Sequence, residues 1–178
     1  GAGPGGYVAG IRAAQLGLDT IIVEGDKAGG TCLIRGCIPS KAIIHAAERF
    51  ESLQKHAEEG GHMGFSISDQ PVVEMKGIVA WKDDIVQRLN KGVEGLLKAA
   101  GARLIHGWAS FEGPKRCVVK GGDDPVAINA ENVIIATGSS PIDLPFMPVD
   151  EQTILSSTAA LDLEELPETI AIIGGGYI

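Results

Sequence analysis

The sequence predicts an α/β fold, in which helices cover a parallel sheet and a small antiparallel excursion interrupts the alternation. A glycine-rich turn in residues 1–6 leads into a helix-compatible stretch and then into a β-branched run, residues 20–24. A second glycine cluster, residues 174–176, follows another apolar run, residues 170–173. Because hydrophobic residues make up 44% of the chain and aromatic residues only 4%, the core must consist mainly of aliphatic side chains.

An amphipathic helix and a series of short strands are predicted between the two glycine clusters. The helix should begin with Asp83 as its N-cap, end near residue 100 and pack on a sheet through one apolar face: Ile85, Leu89, Val93, Leu96, Leu97 and Ala100. Short β-like runs follow, punctuated by Gly-Pro and Gly-Gly turns, at residues 103–106, 117–120, 126–128 and 133–136. The last of these is expected to return to the parallel sheet.

Composition narrows the functional classes. The chain has 15 Lys and Arg residues against 23 Asp and Glu residues, and a net charge of −8 argues against broad binding of nucleic acid phosphates. No apolar run approaches the roughly 20 residues that span a bilayer. Three cysteines are too few for a secreted disulfide scaffold, so a close pair indicates redox or metal chemistry. We therefore expect a cytoplasmic protein that binds neither nucleic acid nor membrane.

Both ends of the sequence look cut. The first glycine turn has no strand leading into it, and the second ends at Ile178, where a sixth motif residue would come. We therefore expect a piece of a longer chain.

The first glycine turn has the spacing of a dinucleotide-binding motif. Gly1, Gly3 and Gly6 allow a tight turn, close approach to a pyrophosphate and presentation of helix N-terminal amides to its charge. Glu24 ends the next apolar strand, where a carboxylate can accept hydrogen bonds from an adenosine ribose. FAD and NAD both carry this ADP half, so the motif alone leaves the choice between them open.

Two cysteines five positions apart, Cys32 and Cys37, form the second motif. In an ideal α-helix their Cα atoms would lie roughly 8.6 Å apart, beyond the ~7 Å limit for a disulfide, so a bridge requires a break in the helix. Gly29, Gly30 and Gly36 loosen the backbone there, and Pro39 suits the opening turns of a helix. Half of a zinc site and two buried small side chains are the alternatives, although no second Cys or His pair completes a zinc site.

Residues 29–41, which read Gly-Gly-Thr-Cys-x4-Cys-x-Pro-Ser-Lys, resemble the active-site signature of the pyridine nucleotide-disulfide oxidoreductases, and among them most resemble the dihydrolipoyl dehydrogenases. Residues 106–109 are similar to a family segment that touches FAD, and residues 136–139 to its Ala-Thr-Gly turn. Residues 174–178 resemble the opening of the family's NAD-binding fingerprint.

This resemblance implies a role for each matching residue. Cys32 is the interchange thiol, Cys37 is the sulfur against the flavin, and Lys41 is a positive charge beside the isoalloxazine. Gly174 and Gly176 begin the NAD site. The implied FAD-binding residues are Gly1, Gly3, Gly6, Glu24, Gly30, Thr31, Cys32, Lys41, Gly107, Thr137, Gly138 and Ser139. No metal site is expected.

The resemblance also implies the domains and partners. Residues 1–147 are expected to form a Rossmann-like FAD-binding domain that lacks its first strand, and residues 148–178 the beginning of an NAD-binding domain. Electrons would pass from dihydrolipoamide, on a lipoyl domain of a 2-oxo acid dehydrogenase complex, through the disulfide and FAD to NAD⁺. The full-length protein would be a homodimer, whose partner subunit supplies a catalytic His–Glu pair. The isolated 178-residue chain is therefore expected to be inactive.

Three other interpretations stay open. Mercuric reductase and glutathione reductase share the cysteine motif, although glutathione reductase usually has a basic residue where this chain has Ser40. A non-catalytic dinucleotide-binding module, in which the cysteines only stabilise a loop, is the rival from a different class. Trp81, Trp108 and Cys117 are interpreted as packing residues.

Overall fold

A computed structural model describes residues 1–59, 64, 67–122 and 124–176. The chain divides into two compact units, the first formed by Gly1–Ile34 and Gln87–Pro141 and the second by Arg35–Val86 and Ile142–Ile178. None of the described helices has the length and apolar character needed to cross a membrane. The elements in chain order are α1 (Pro4–Gln15), β1 (Ile21–Glu24), α2 (Gly30–Arg35), α3 (Cys37–Glu59), α4 (Met75–Ala100), β2 (Arg103–His106), β3 (Trp108–Gly113), β4 (Arg116–Lys120), β5 (Val126–Asn129) and α5 (Ser157–Ala160).

A parallel pair of strands organises the first unit. β1 pairs with β2 in a register that sets Ile21 opposite Arg103 and Glu24 opposite His106. Helix α1 packs closely on this pair at Gly10. A Cβ placed on Gly10 would overlap the side chain of buried Ile22, so only glycine allows this distance. The predicted order of glycine turn, helix and parallel strand is confirmed.

The predicted antiparallel excursion is also confirmed. Strands β3, β4 and β5 form a three-stranded sheet in that order, with β4 antiparallel to both neighbours. Val119 and Ile128 are its buried side chains, with 2% and 9% of their surface exposed. The free cysteine of the chain, Cys117, lies on β4 opposite Phe111 and Ile128.

Two predicted strands are absent from the described residues. Residues 133–136 and 170–173 have no strand assignment, and their isoleucines are exposed: Ile134 70%, Ile135 74%, Ile170 62%, Ile172 80% and Ile173 76%. A strand exists through hydrogen bonds to a neighbouring strand, and β1 and β2 pair only with each other. Local β propensity at these runs therefore does not produce a strand here.

Helix α4 differs from its prediction in two ways. It begins at Met75, so the assignment of Asp83 as N-cap is wrong: the helical apolar pattern continues N-terminally through Val79. Only part of the predicted face is buried, since Leu89 and Leu96 are 42% and 59% exposed. The buried positions of α4 recur at intervals of three, four or seven residues, and one of them is a lysine: Val79, Lys82, Val86, Val93 and Leu97.

Lys82 is the one buried charged residue among the described side chains, and it ties α4 to the segment after α5 within the second unit. Its ammonium group donates to the Leu161 carbonyl oxygen at 3.1 Å and to Asp162, and lies 3.0 Å from Asp83. Burial opposes the charge of Lys82, but the hydrogen bonds to Asp162 and Asp83 outweigh it and raise the pKa of this lysine. The positive charge is therefore part of the folded structure.

A loop closed by Asp150 precedes α5. One carboxylate oxygen of Asp150 accepts the backbone N–H groups of Gln152, Thr153 and Ile154, each at 2.8 Å. These hydrogen bonds favour the charged form and lower the pKa of Asp150. Ser156 then caps α5 by accepting the Ala159 N–H at 3.3 Å.

Replacing Lys82 by methionine should lower the free energy of unfolding by about 1 to 3 kcal/mol, because part-buried hydrogen bonds of a charged group are lost while the side-chain volume is kept. Urea unfolding followed by circular dichroism measures this loss. Lys76→Met is the matched control, since Lys76 pairs with Glu164 at 3.3 Å on the surface, with both side chains more than half exposed. The Lys76→Met substitution should lower the free energy of unfolding by less than about 1 kcal/mol.

The same comparison has a defined pH dependence. Because the folded-state pKa of Lys82 is raised above its ordinary value of 10.5, the stabilisation is complete below that pH and disappears as the pH rises through the raised pKa. The difference between wild type and Lys82→Met should therefore shrink as the pH rises into alkali through the raised pKa. Equal losses in the Lys82 and Lys76 variants would contradict the role given to Lys82.

Candidate active site

Two of the three motif glycines have no space for a side chain. A Cβ placed on Gly1 would overlap the carbonyl oxygen of Ala136, and one on Gly6 would overlap the carbonyl oxygen of Gly1. A Cβ on Gly3 would meet only the Cα of Gly30 at 3.6 Å, which is an ordinary contact. The close packing of the turn therefore requires glycine at positions 1 and 6.

The turn leads directly into the N-terminus of α1. Gly3 is the N-cap, Pro4 is the first helical residue, and the Tyr7 N–H donates to the Gly3 carbonyl oxygen at 2.9 Å. No described side chain caps this end of the helix. Its first-turn amides and the positive end of its dipole are thus suited to an anionic group.

Glu24 holds the turn against the end of β1. Its two carboxylate oxygens accept the Ala2 N–H at 2.6 Å and the Asp26 N–H at 2.9 Å, and its carbonyl oxygen accepts the Gly107 N–H at 2.8 Å. An ionised carboxylate has about four acceptor positions, so about two remain for a ligand hydroxyl. The carboxylate predicted to accept hydrogen bonds from a ribose therefore also fixes the backbone of the glycine turn and of Asp26.

The loop before α2 packs on the same turn. Gly29 donates its N–H to the Ala2 carbonyl oxygen at 2.8 Å. Gly30 has φ +64°, and a Cβ on it would lie 2.5 Å from the Gly3 Cα, so both conformation and space require glycine. The Asn90 side chain on α4 donates to the Ala28 carbonyl oxygen at 2.6 Å and anchors this loop.

Residues from two later segments lie near this arrangement: Thr137 beside Gly1, and Gly107 hydrogen-bonded to Glu24. Gly107 has φ +145°, and a Cβ on it would lie 2.5 Å from the Lys120 carbonyl oxygen. Thr137 follows the carbonyl that packs on Gly1, and its Cα lies 3.6 Å from the Cβ position of Gly1. Gly138 and Ser139 come next in the chain and are exposed.

The cysteine pair is a disulfide at a break between two helices. Cys32 and Cys37 are bonded to each other, α2 ends at Arg35, and α3 begins at Cys37. The predicted bridge is confirmed, and the interruption of the helix that it requires falls at Gly36. Cys37 is thereby the first residue of a long helix, a position where a thiolate is stabilised.

The first turn of α3 is arranged as its sequence predicts. Pro39 is buried in this turn, where its missing N–H removes no helical hydrogen bond. Ser40 donates its N–H to the Gly36 carbonyl oxygen at 3.0 Å and its hydroxyl to the Cys37 carbonyl oxygen at 3.2 Å. Lys41 lies one helical turn after Cys37 and is exposed.

The structure brings some of the predicted site residues together and leaves others apart. Within the first unit, residues from four segments lie around one turn, namely Gly1, Gly3, Gly6, Glu24, Gly30 and Thr137, and Gly107 is hydrogen-bonded to the Glu24 carbonyl oxygen. Thr31 is exposed on α2 beside Cys32. Gly174 and Gly176 are exposed with nothing close to their Cβ positions, and the remainder of that fingerprint, Tyr177 and Ile178, lies outside the described residues.

Sequence reasoning missed two contributors to this arrangement. The first is the Ala2 backbone, whose N–H and carbonyl oxygen bind Glu24 and Gly29 and carry no side-chain signal. The second is Asn90, which lies between Val86 and Val93 in the buried stripe of α4. A polar residue at helical spacing within an apolar stripe is a signal that could have revealed it.

Comparison with known proteins places this arrangement in a family. The model of the family described as pyridine nucleotide-disulphide oxidoreductase matches residues 1–178, and the chain belongs to that family. The predicted family and its α/β fold are thereby confirmed.

Several relatives are dihydrolipoyl dehydrogenases. The chain is 47% identical to dihydrolipoyl dehydrogenase 2 of Haloarcula marismortui and 46% identical to the dihydrolipoyl dehydrogenase of Geobacillus stearothermophilus. Each alignment covers 100% of this chain and 37% of the relative, so the chain spans little more than a third of their length.

Solved structures agree on the fold. LpdA of Mycobacterium tuberculosis superposes with a TM-score of 0.81 at 25% identity, over 94% of this chain and 37% of that one. The HOCl-induced flavoprotein disulfide reductase RclA of Escherichia coli superposes with a TM-score of 0.73 at 24% identity, over 94% and 34% of the two chains, and supports the fold alone.

Alanine at position 6 should destabilise the protein, and alanine at position 5 should not. Both glycines lie on α1, so helix propensity favours each substitution by about 1 kcal/mol. A Cβ at Gly5 meets only the Ala136 side chain at 4.0 Å, whereas one at Gly6 overlaps backbone and should cost about 1 to 3 kcal/mol. Urea unfolding of the two variants tests this difference, and indistinguishable stabilities would show that the turn is not closed in this way.

Proposed function

We propose that this chain is the FAD-binding and disulfide-containing part of a dihydrolipoyl dehydrogenase. The observation that carries the proposal is the Cys32–Cys37 disulfide at the start of a helix, in a chain of the disulfide oxidoreductase family. The names of the relatives support the particular activity. We expect a cytoplasmic enzyme.

The described residues fit an ADP-containing cofactor. The turn closed by Gly1 and Gly6 leaves backbone rather than side chains facing the first turn of α1, where a pyrophosphate is held by amides. Glu24 keeps acceptor positions for the ribose hydroxyls. The remaining FAD contacts in the proposal are Gly3, Gly30, Thr31, Cys32, Lys41, Gly107, Thr137, Gly138 and Ser139.

The protein's own chemistry is thiol–disulfide exchange. A substrate thiolate attacks the Cys32 sulfur, the Cys32–Cys37 bond breaks, and Cys37 leaves as a thiolate. The second substrate thiol, once deprotonated, attacks the resulting mixed disulfide, which releases Cys32 and closes the substrate's own disulfide. Two electrons have then moved from the substrate dithiol to the cysteine pair.

The position of Cys37 favours the first step. A leaving thiolate at the first residue of α3 meets the positive end of the helix dipole, which lowers the free energy of its charged form. Lys41 adds a positive charge on the same helix. When bound, FAD supplies two-electron transfer between the dithiol and a nicotinamide.

The rest of the enzyme completes the proposal. Residues 1–147 would form the FAD-binding domain, and residues 148–178 would begin an NAD-binding domain, with Gly174 and Gly176 in its fingerprint. We expect a homodimer whose partner subunit supplies a His–Glu pair as the base. Its substrate would be dihydrolipoamide on a lipoyl domain of a 2-oxo acid dehydrogenase complex.

Alkylation counts should identify a redox-active disulfide. The chain has three cysteines, so iodoacetamide in urea should add one group, at Cys117, before reduction and three after incubation of the native protein with dihydrolipoamide. A disulfide that only stabilises a loop resists a mild dithiol in the native state. The Cys117→Ser control should give zero and two adducts, and a native protein that still adds one group after dithiol treatment would refute the redox role.

Replacing Glu24 by lysine should release FAD. The change removes the ribose acceptors and the hydrogen bond to Ala2, which together should weaken binding by about 1 to 3 kcal/mol or more. Flavin absorbance per protein after dialysis measures retention. Glu131→Lys, an equal charge change at an exposed position, should retain flavin like wild type, and Glu24→Gln should be intermediate. Full retention in Glu24→Lys would show that the ribose lies elsewhere.

A further inference from the structure

Asn90 is a polar residue in the buried stripe of α4, and its side chain contacts the loop before α2. It lies one helical turn after Val86 and one before Val93, both of which are buried. Its side-chain nitrogen donates to the Ala28 carbonyl oxygen at 2.6 Å. Ala28 is 0% exposed, so water does not replace this hydrogen bond. The side-chain amide of Asn90 therefore satisfies a carbonyl group that solvent does not reach.

This carbonyl belongs to a peptide group that is held on both sides. The carbonyl of Ala28 and the N–H of Gly29 are the two ends of one planar peptide unit. The Gly29 N–H donates to the Ala2 carbonyl oxygen at 2.8 Å, while Asn90 binds the opposite end. Since the peptide unit is rigid, the hydrogen bond from Asn90 sets the direction in which the Gly29 N–H meets the glycine turn.

Ala2 connects this peptide group to the proposed cofactor site. Its N–H donates to the Glu24 carboxylate at 2.6 Å, and its carbonyl oxygen accepts the Gly29 N–H, so both peptide groups that flank Ala2 are fixed. The loop also packs directly on the turn, because a Cβ on Gly30 would lie 2.5 Å from the Gly3 Cα. A side chain on α4 thus acts on the glycine turn through one peptide group.

We propose that Asn90 is a positioning residue for the dinucleotide-binding turn and acts through the peptide group between Ala28 and Gly29. The inference rests on the proposed function, because it needs an ADP-containing ligand at that turn. Without the side-chain amide, the peptide group can tilt and the turn samples other arrangements. The apparent affinity for ADP then falls in proportion to the fraction of molecules that keep the competent arrangement.

Asn90→Leu should weaken the binding of ADP to the flavin-free protein about tenfold, the factor expected for the loss of one hydrogen bond to a buried carbonyl group. Isothermal titration calorimetry measures this affinity. Leucine keeps a similar volume in the buried stripe and has a higher helix propensity than asparagine, so α4 itself is preserved. The binding of FAD should weaken by a similar factor, since FAD carries the same ADP half.

Leu97→Ala is the control for a general loss of stability. Leu97 is 1% exposed on the same helix, and its side chain lies 3.8 Å from the Cβ position of Gly10, beyond the turn. This variant should lower the urea midpoint at least as much as Asn90→Leu, yet bind ADP within about twofold of wild type. If Leu97→Ala weakens ADP binding as much as Asn90→Leu does, stability alone explains the effect and the positioning role is refuted.

Asn90→Asp tests the hydrogen bond itself. An ionised carboxylate only accepts hydrogen bonds, whereas a protonated carboxyl group has an O–H that can donate to the Ala28 carbonyl oxygen. The ADP affinity of this variant, relative to wild type at the same pH, should therefore recover as the pH falls through the pKa of the new carboxyl group. Gln87→Glu, an equal charge change at an exposed position of α4, should show no such recovery. A pH-independent deficit in Asn90→Asp would contradict the assigned hydrogen bond.

The outcomes separate this inference from the proposed function. If the wild-type protein binds neither FAD nor ADP, the proposed function fails and the inference fails with it. If the wild type binds both, and folded Asn90→Leu protein binds them within about twofold of wild type, only the role of Asn90 is refuted. If circular dichroism shows that Asn90→Leu does not fold, the pH dependence of Asn90→Asp decides.

Discussion

The candidate cofactor site depends on the hydrogen bonds that the Glu24 carboxylate accepts from the main chain. The hydrogen bond from the Ala2 N–H fixes the glycine turn, and the one from the Asp26 N–H fixes the residues that follow β1. The turn is further closed by backbone packing, because Gly1 meets Ala136 and Gly30 meets Gly3 without intervening side chains. One carboxylate thus fixes both the glycine turn and the end of β1, which are 22 residues apart in sequence.

The redox segment depends on a different constraint, the geometry of a helix. A continuous helix holds two residues five positions apart too far from each other for a disulfide. The chain resolves this by ending α2 at Arg35 and starting α3 at Cys37, with Gly36 between them. The break has a chemical consequence as well as a steric one. It places Cys37 at the positive end of a long helix, where a negative charge on sulfur is stabilised.

Lys82 occupies a position of α4 where the helical pattern of buried residues would indicate an apolar side chain. Its position continues the apolar stripe of α4, yet the residue there is a cation whose partners, Leu161 and Asp162, are far away in sequence. Burial opposes the charge, and the hydrogen bonds outweigh that cost and keep the group ionised. Trp108, interpreted from the sequence as a packing residue, is 74% exposed at the first position of β3.

The sequence by itself determined the glycine turn, the helix and parallel strand that follow it, and the spacing and helix break that a bridge between Cys32 and Cys37 requires. These features depend on φ preferences, proline placement and spacing within a few residues, so they can be read locally. Tertiary structure decided which side of α4 is buried, that Lys82 is paired, that Glu24 binds the backbone and that residues 133–136 have no strand partner. Each of these depends on atoms brought together from distant parts of the chain, where burial and hydrogen bonding outweigh local propensity.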